Sequence, residues 1–162
     1  KLINSSTQFS KVRIAINFDG LHSIIHHDIQ NPVWKDLSIG IYKGDKINSK
    51  DPYIYHKTDR REIYTNAYQY AKDNNYDEVI LLNKKGHVCE GSISTLMIMN
   101  QEGQKIVPKL KSGLLPSIIR QVLLDSGEAI EKVLTLKDLH QAKNIFMGNS
   151  VRNWGQVKKI DY

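Results

Sequence analysis

The chain has 162 residues, enough for one domain or for a domain with a smaller piece beside it. Of these residues 40% are hydrophobic and 25% charged, a composition typical of a soluble protein. No apolar run approaches the roughly 20 residues of a membrane-spanning helix, so we expect no membrane partner. The net charge of +6 favours anionic partners, but the basic residues are scattered, and we expect no nucleic-acid partner. The single cysteine, Cys89, excludes an internal disulfide framework, and without a signal-peptide pattern it predicts a cytoplasmic location.

The first part of the chain predicts two strands and a polar connection. Residues 11–18 (KVRIAINF) alternate in the period of a strand, and Asp19-Gly20 indicates a turn. Residues 37–42 (LSIGIY) predict a second strand. Residues 43–52 are polar and rich in turn formers, which indicates a loop or an inter-domain linker.

The remainder of the chain alternates helical and strand patterns, which indicates an α/β or α+β domain. The first helix is predicted from Asp59, with Thr58 or Asp59 as its N-cap, and it ends at Asn74-Asn75. A second helix enters at Pro116 and ends at Gly127. Strands are predicted at residues 77–83, 87–92, 95–100 and 144–150. A third, short helix is predicted at residues 136–142.

Lys57 stands immediately before the first predicted helix. The helix dipole is positive at that end and disfavours an ammonium group, so the pKa of this amine is predicted to be lowered. Arg60 and Arg61 act in the same direction. A lowered pKa suits an amine that forms Schiff bases. The alternative is an ordinary surface lysine.

Glu90 ends a short apolar strand in the stretch GHVCEGSIST. Its functional interpretation is a buried acceptor for a protonated ring nitrogen, and the alternative is a solvated carboxylate at a strand end. Its neighbour Cys89 is predicted to be a small core residue.

Two further segments are suited to binding an anion. The helix start after Pro116 presents the backbone N–H groups of Ser117, Ile118 and Ile119, which is a phosphate-binding arrangement or, alternatively, an ordinary capped helix. The stretch Gly148-Asn149-Ser150 follows a buried strand and predicts either an anion nest with a hydroxyl donor or a simple turn.

No metal site is predicted. His26 and His27 are adjacent, so on a strand they point apart, and no third ligand stands at metal-binding spacing. The sequence also contains no P-loop and no G-x-G-x-x-G pattern.

Taken in order, these segments resemble the class IV (fold type IV) pyridoxal-phosphate enzymes. That family includes branched-chain and D-amino-acid aminotransferases and 4-amino-4-deoxychorismate lyase. The resemblance is carried by HKTDRR, DEVILLNKKGHVCEGSISTLMI, GLLPSIIRQVLL and LKDLHQAKNIFMGNSVRN, between about residue 53 and the end. It implies an α/β (α+β) fold whose large cofactor domain, residues 53–162, has a barrel-like mixed sheet with flanking helices. Residues 1–52 are then the remainder of a small α/β domain and its linker.

The resemblance implies pyridoxal 5′-phosphate as the cofactor and a role for each matching position. Lys57 corresponds to the Schiff-base lysine, which also moves protons. Glu90 corresponds to the glutamate that pairs with the ring nitrogen. Ile118 and Ile119 match backbone donors to the cofactor phosphate, and Ser150 matches a hydroxyl donor to it.

For the substrate, the resemblance implies a small anionic, amino-acid-like molecule whose carboxylate lies near Val151, and a homodimeric enzyme. Arg152 is a further candidate for contact with an anionic substrate. Two positions depart from the family pattern: Thr95 stands where asparagine is frequent, and Ser117 where glycine is frequent. Arg13 is the only arginine before Lys57, although the family's small domain supplies an arginine to the phosphate. We therefore expect the first half of that domain to be missing from this chain.

The stretch FMGNSVRN resembles the lyase branch more than the SGTAAE type of the branched-chain enzymes. We therefore expect an aminodeoxychorismate lyase, which eliminates pyruvate to give 4-aminobenzoate in folate biosynthesis. The alternatives are a branched-chain or D-amino-acid aminotransferase and a degenerate, non-catalytic relative.

Overall fold

Residues 9–29 and 33–162 are described by the structure, a computed structural model. By its internal contacts the chain divides into two units, Lys1–Val33 and Trp34–Tyr162. In the first unit, β1 (Ser10–Asn17) and β2 (Gly20–Asp28) form an antiparallel hairpin. Gly20 closes the predicted turn at φ +112°, a conformation that glycine adopts without steric cost. The predicted first strand is thus confirmed.

The second unit contains the eight strands of one sheet and three α-helices. The strands are β3 (Leu37–Ile41), β4 (Glu78–Leu82), β5 (Val88–Gly91), β6 (Thr95–Met99), β7 (Lys105–Pro108), β8 (Ala129–Lys132), β9 (Asn144–Asn149) and β10 (Asn153–Asp161). The helices are α1 (Glu62–Asp73), α2 (Ile118–Asp125) and α3 (Leu136–Gln141). Each strand that the sequence predicts in this unit is present, whereas β7, β8 and β10 were not predicted as strands.

The sheet is mixed and curls into a half-barrel. Its strand order is β5-β4-β3-β10-β9-β6-β7-β8. The pairs β3–β4, β3–β10 and β7–β8 are parallel, and the other neighbours are antiparallel. The two edges approach each other, since the N–H of Val88 in β5 donates to the carbonyl of Leu134, just after β8, at 2.8 Å. This curling covers edges that would otherwise expose unpaired backbone groups, and it confirms the predicted fold class.

The strand β4 shows how the core is built, because it is buried on both faces. Ile80 belongs to the cluster on one face of the sheet. Val79 and Leu81 belong to the cluster on the other face, where Ala67 and Ala71 of α1 pack against them. The two small alanine side chains let the helix approach the strand closely, and each fully buried aliphatic side chain of leucine size contributes roughly 1.5–3 kcal/mol.

The packing units do not coincide with the predicted division between residues 52 and 53. The strand β3 lies before that division, but Gly40 pairs with Val79 of β4 and with Asp161 of β10. Sequence patterns identify such a strand without showing its distant partners. The assignment of residues 1–52 and 53–162 to the family's small and large domains stays a prediction.

The predicted N-cap of α1 at Thr58 or Asp59 is wrong. A 3-10 helix over Pro52–Tyr55 precedes α1, and the N–H of Thr58 donates to the carbonyl of His56 at 3.0 Å. The helix begins only at Glu62, with Arg61 as an N-cap that makes no side-chain capping bond. Local turns in this segment therefore compete with helix formation.

The ends of α2 agree more closely with the sequence. Ser117 is the N-cap, one residue after Pro116, and Gly127 takes φ +71° just beyond the end of the helix. In the part of the chain that the structure describes, no helix is long and apolar enough to cross a membrane. Within those same residues, no group of three or more His, Cys, Asp and Glu side chains is placed to hold a metal ion.

Candidate active site

Glu90 lies in β5 with only 5% of its surface exposed. Two donors hold the same carboxyl oxygen. The hydroxyl of Tyr64 donates to Oε1 at 2.7 Å, and the backbone N–H of Leu115 donates to Oε1 at 3.0 Å. Of the two interpretations of this residue, the solvated strand-end carboxylate is therefore excluded by the geometry. The contact with Leu115 also fixes the carboxyl group beside the segment that leads into α2.

Burial raises the pKa of Glu90 to about 8, because a carboxylate loses its hydration there. The hydrogen bonds from Tyr64 and Leu115 lower that pKa, the positive charge of Arg61 lowers it further, and the carboxylate of Glu78 raises it. Such a carboxyl group exchanges its proton near neutral pH, and it suits a buried pairing with a basic ring nitrogen.

Glu78 in β4 shapes the turn that follows Glu90, and it was not among the predicted site residues. Its carboxylate is 1% exposed and accepts five hydrogen bonds. Oε1 accepts from the N–H of Val79 and from both the N–H and the hydroxyl of Ser92, at 2.6–2.9 Å. Oε2 accepts from the N–H of Ile93 at 3.1 Å and the hydroxyl of Ser94 at 2.8 Å. The turn is thus wrapped around one carboxylate, which gives the end of β5 a single conformation.

Replacing Glu78 with alanine is expected to lower the free energy of unfolding by roughly 2–4 kcal/mol, because several buried donors lose their acceptor. Urea unfolding with an unchanged m-value measures this loss. Glu102→Ala is the matched control, since Glu102 is an exposed carboxylate in a turn, and its effect is expected to stay within about 0.5 kcal/mol. Equal losses in the two variants would contradict the assigned role of Glu78.

The start of α2 presents the N–H groups of Ile118 and Ile119 in the first turn, where no intrahelical acceptor exists. The N–H of Ser117, which was also predicted to be available to a phosphate, already donates to the carbonyl of Leu115 at 2.8 Å. That part of the prediction is wrong. The hydroxyl oxygen of Ser117 is buried without a hydrogen-bond partner among the described residues. A buried hydroxyl in this state at a helix start fits a phosphate group.

The turn between β9 and β10 contains Ser150, Val151 and Arg152. The side-chain oxygen of Asn149 accepts the N–H groups of Val151 and Arg152 at 3.0 Å and 2.9 Å. Those two N–H groups are therefore engaged within the turn, and the anion nest at Gly148-Asn149-Ser150 stays a prediction. Ser150 and Val151 are exposed on the turn, and the guanidinium of Arg152 lies 5.7 Å from the centre of the Trp34 ring.

Three contacts bring these segments together. A Cβ atom on Gly148 would lie 3.1 Å from Cδ1 of Ile119, so β9 and the start of α2 are in close contact. The amide of Asn149 donates to the carbonyl of Ile93 at 3.1 Å, which ties the β9–β10 turn to the turn after β5. The hydrogen bond from the N–H of Leu115 to Glu90 joins β5 to the segment before α2. The predicted positions at Glu90, at Ile118 and Ile119, and at Ser150 thus lie on three adjoining segments.

Lys57 is exposed and lies between the 3-10 helix and α1. Its segment is tied to the site through Arg61, whose guanidinium donates to the carbonyl of Ser92 at 3.0 Å. The guanidinium of Arg60 lies instead 4.1 Å from the centre of the Tyr53 ring. Because α1 starts only at Glu62 and the dipole effect is confined to the first turn, the helix-start argument for this lysine does not hold.

Two further buried side chains, Cys89 and Arg120, lie beside the site. Cys89 is fully buried, as predicted for a core residue, and burial raises the pKa of its thiol to about 12. Arg120 of α2 is 1% exposed, donates to the carbonyl of Pro108 at 3.4 Å and forms an ion pair with Glu131. Burial lowers the pKa of Arg120, and the charge of Glu90 opposes that shift.

The sequence singled out Glu90 and the two segments that are predicted to bind an anion, but not the residues that hold them in place. Tyr64, Glu78 and the N–H of Leu115 carry no motif, because their partners lie 14 to 26 positions away in the sequence. The one available signal was Glu78 at the start of an apolar strand, where a buried carboxylate is unusual.

Comparison with known proteins identifies the family to which this chain is related. The profile of the family described as amino-transferase class IV matches residues 5–160. A Schizosaccharomyces pombe protein named "Putative aminodeoxychorismate lyase" is 35% identical over 159 residues, which are 95% of this chain and 66% of that protein. A "Probable branched-chain-amino-acid aminotransferase" of Thermotoga maritima is 30% identical over 89 residues, 52% of this chain and 32% of that protein. This chain thus spans from about a third to two thirds of these relatives' lengths.

Among solved structures, that of a "Putative amino-acid aminotransferase" from Mesorhizobium loti superimposes with a TM-score of 0.86 and 31% identity. The superposition covers 93% of this chain and 72% of the other. The predicted resemblance and the enzyme family that it implies are therefore confirmed. Since the family profile matches nearly the whole sequence, this chain belongs to the amino-transferase class IV family.

Proposed function

We propose that this chain carries a pyridoxal 5′-phosphate site and that the enzyme is an aminodeoxychorismate lyase, which eliminates pyruvate to give 4-aminobenzoate for folate biosynthesis. The observation that carries the proposal is the buried Glu90 carboxyl, held between Tyr64 and the segment that begins α2. The match to the Schizosaccharomyces pombe protein over 95% of this chain supports the lyase branch. The proposal includes a homodimer in the cytoplasm.

Several residues of this chain would together hold the cofactor, each at a different group. When bound, the cofactor supplies an electron sink for the substrate's Cα. The Lys57 amine would hold the cofactor covalently and would carry a proton during turnover. Glu90 would keep the ring nitrogen protonated. The N–H groups of Ile118 and Ile119 and the hydroxyl of Ser150 would hold the phosphate. The buried Ser117 hydroxyl and the raised pKa of Glu90 both fit such a ligand.

The substrate proposed for this site is a small anionic amino-acid-like molecule. Val151 and Arg152 lie on the turn after β9, next to Ser150, where a carboxylate would meet the guanidinium of Arg152. The net charge of +6 favours the approach of such an anion.

A labelling experiment tests the cofactor site directly. The chain is mixed with pyridoxal 5′-phosphate, reduced with borohydride and digested, and the modified lysine is identified by mass spectrometry. We expect a visible absorbance band before reduction and a label on Lys57. Lys137→Ala is the matched control, because Lys137 is an exposed lysine in α3, and this variant should label as the parent does. An unlabelled Lys57 would support the degenerate, non-catalytic alternative and refute the cofactor site.

The second candidate function is an amino-acid aminotransferase, and the similarity to the Mesorhizobium loti structure favours it. Both reactions use the same cofactor-binding residues, so the label on Lys57 does not separate them. Pyruvate release from aminodeoxychorismate identifies the lyase, and amino transfer to 2-oxoglutarate identifies the aminotransferase. A chain active only in the second assay would overturn the lyase proposal and retain the cofactor site.

A further inference from the structure

Tyr64 is the third residue of α1 and lies with its ring in the core cluster beneath that helix. Its side chain is 8% exposed, and its hydroxyl reaches out of this cluster to Oε1 of Glu90. The N–H of Leu115 reaches the same oxygen from the opposite segment. Two donors on a single oxygen fix the rotation of the carboxyl plane, and neither of them uses Oε2.

We propose that Tyr64 is a positioning residue for Glu90: its hydroxyl holds the carboxyl group in one orientation and favours its ionised form. The inference rests on the proposed function, which makes Glu90 the partner of the cofactor's ring nitrogen. Tyr64 touches neither cofactor nor substrate in this account and acts only through Glu90.

The direction of the effect follows from the hydrogen bond. A hydroxyl donates more strongly to a carboxylate than to a neutral carboxyl group, so the bond stabilises the charged form. Burial raises the pKa of the Tyr64 hydroxyl, and the neighbouring Glu90 raises it further, so Tyr64 keeps its proton and remains a donor at working pH. The donor is thus permanent, while the acceptor titrates.

The other charged and titratable groups around Glu90 are engaged elsewhere. Arg61, before α1, donates to the carbonyl of Ser92, and Glu78 in β4 accepts its five bonds from the turn. The Cys89 thiol donates to the carbonyl of Ser112 at 3.3 Å, and Arg120 in α2 pairs with Glu131. These groups act on Glu90 through space, whereas Tyr64 and Leu115 act by direct contact.

Transfer of one proton between Glu90 and the ring nitrogen shows the effect of the Tyr64 hydroxyl. A protonated Glu90 beside a basic ring nitrogen would give that nitrogen one proton and become a carboxylate. No bond other than the O–H and N–H bonds changes. The carboxylate keeps the Tyr64 and Leu115 donors, so the transfer needs no rearrangement of the protein. The hydroxyl of Tyr64 therefore favours the state in which the proton resides on the ring.

The test uses Tyr64→Phe, which keeps the ring in the core and removes only the hydroxyl. In the full chain without cofactor, the Glu90 carboxyl is titrated by NMR with ¹³C-labelled glutamate, and its signal is assigned by its loss in Glu90→Gln. We expect the Glu90 titration midpoint to rise by about one pH unit, a tenfold change in ionisation constant. In the cofactor-loaded chain, the pH midpoint of the visible absorbance band should move in the same direction.

Two further variants distinguish a specific effect on the Glu90 midpoint from a general effect on folding. Tyr68→Phe removes a hydroxyl from the same helix, at a half-exposed ring that faces Lys72, and it should leave the Glu90 midpoint unchanged. Replacing Tyr64 alone with 3-fluorotyrosine keeps the hydroxyl and makes it a stronger donor, so the Glu90 midpoint should fall. This second shift tests the proposal even if Tyr64→Phe folds poorly.

The outcomes separate the inference from the function on which it rests. An unchanged Glu90 midpoint in the Tyr64 variants overturns the positioning role, whether or not Lys57 is labelled. A shifted midpoint in a chain whose Lys57 cannot be labelled overturns the cofactor site and leaves the control of Glu90 by Tyr64 standing. A shifted midpoint together with a shifted absorbance band supports both.

Discussion

Replacement of Lys57 by alanine is expected to abolish turnover, lowering kcat by about 10⁴-fold or more, because the covalent link to the cofactor and the proton carrier are lost together. Pyruvate release from aminodeoxychorismate and amino transfer to 2-oxoglutarate should both disappear. Lys57→Arg should be equally inactive, since a guanidinium keeps the charge but is not a nucleophile at neutral pH.

The stability of the same variants separates a chemical role from a structural one. Lys57 is exposed, so Lys57→Ala should change the free energy of unfolding by no more than about 0.5 kcal/mol. The control Lys137→Ala should match the parent in activity and stability. Activity near the parent's in Lys57→Ala would assign the chemistry to another residue, and a large loss of stability would assign Lys57 a structural role instead.

The sequence predicts the elements of this fold better than their pairing. Apolar runs such as those of β4 and β6 indicate buried strands, and Gly127 marks the end of α2. In contrast, β10 reads NWGQVKKID, without regular alternation, although it occupies the middle of the sheet between β3 and β9. One neighbour, β9, immediately precedes it in the sequence, but the other, β3, lies more than 100 residues away, and no local pattern encodes that distant pairing.

The candidate site was predictable where a single residue or a helix start carries the signal. Glu90 breaks an apolar strand, and Ile118 follows a proline and a small polar residue, so both stand out. Tyr64 does not, because a tyrosine on the buried face of a helix is equally consistent with a simple core residue. The helix start near Lys57 was mislocated, since Thr58 and Asp59 are good capping residues by type but lie in a turn before the helix.

Glu90→Gln is expected to remove a pH-dependent part of the stability. The folded pKa of Glu90 is raised to about 8 from its ordinary 4.5, so between these values the folded chain holds a proton that the unfolded chain has released. The stability from this proton is fully present below pH 4.5 and is lost as the pH rises through 8. Relative to the parent, the variant should gain stability with rising pH, by up to roughly 1.4 kcal/mol per pH unit in this window.

Urea unfolding of the parent and Glu90→Gln at intervals from pH 5 to pH 8 measures this difference, and contributions of other groups cancel in it. Glu102→Gln is the control, because that exposed carboxylate has no buried partner to lose. Its difference from the parent should stay flat across the same range. A flat difference for Glu90→Gln as well would mean that Glu90 is ionised throughout, and its burial would then need another compensating charge.

The same substitution has a second consequence once the cofactor is bound. Glutamine keeps an oxygen that accepts from Tyr64 and Leu115, so the site should retain its shape, but it offers no negative charge to a protonated ring nitrogen. We expect kcat to fall by about 10²–10³-fold, with Lys57 still labelled by borohydride, because the label does not require ring protonation. Loss of the label along with activity would make Glu90 a determinant of binding. Unchanged activity would mean that the Glu90 carboxyl group, although held beside the segment that leads into α2, has a structural role alone.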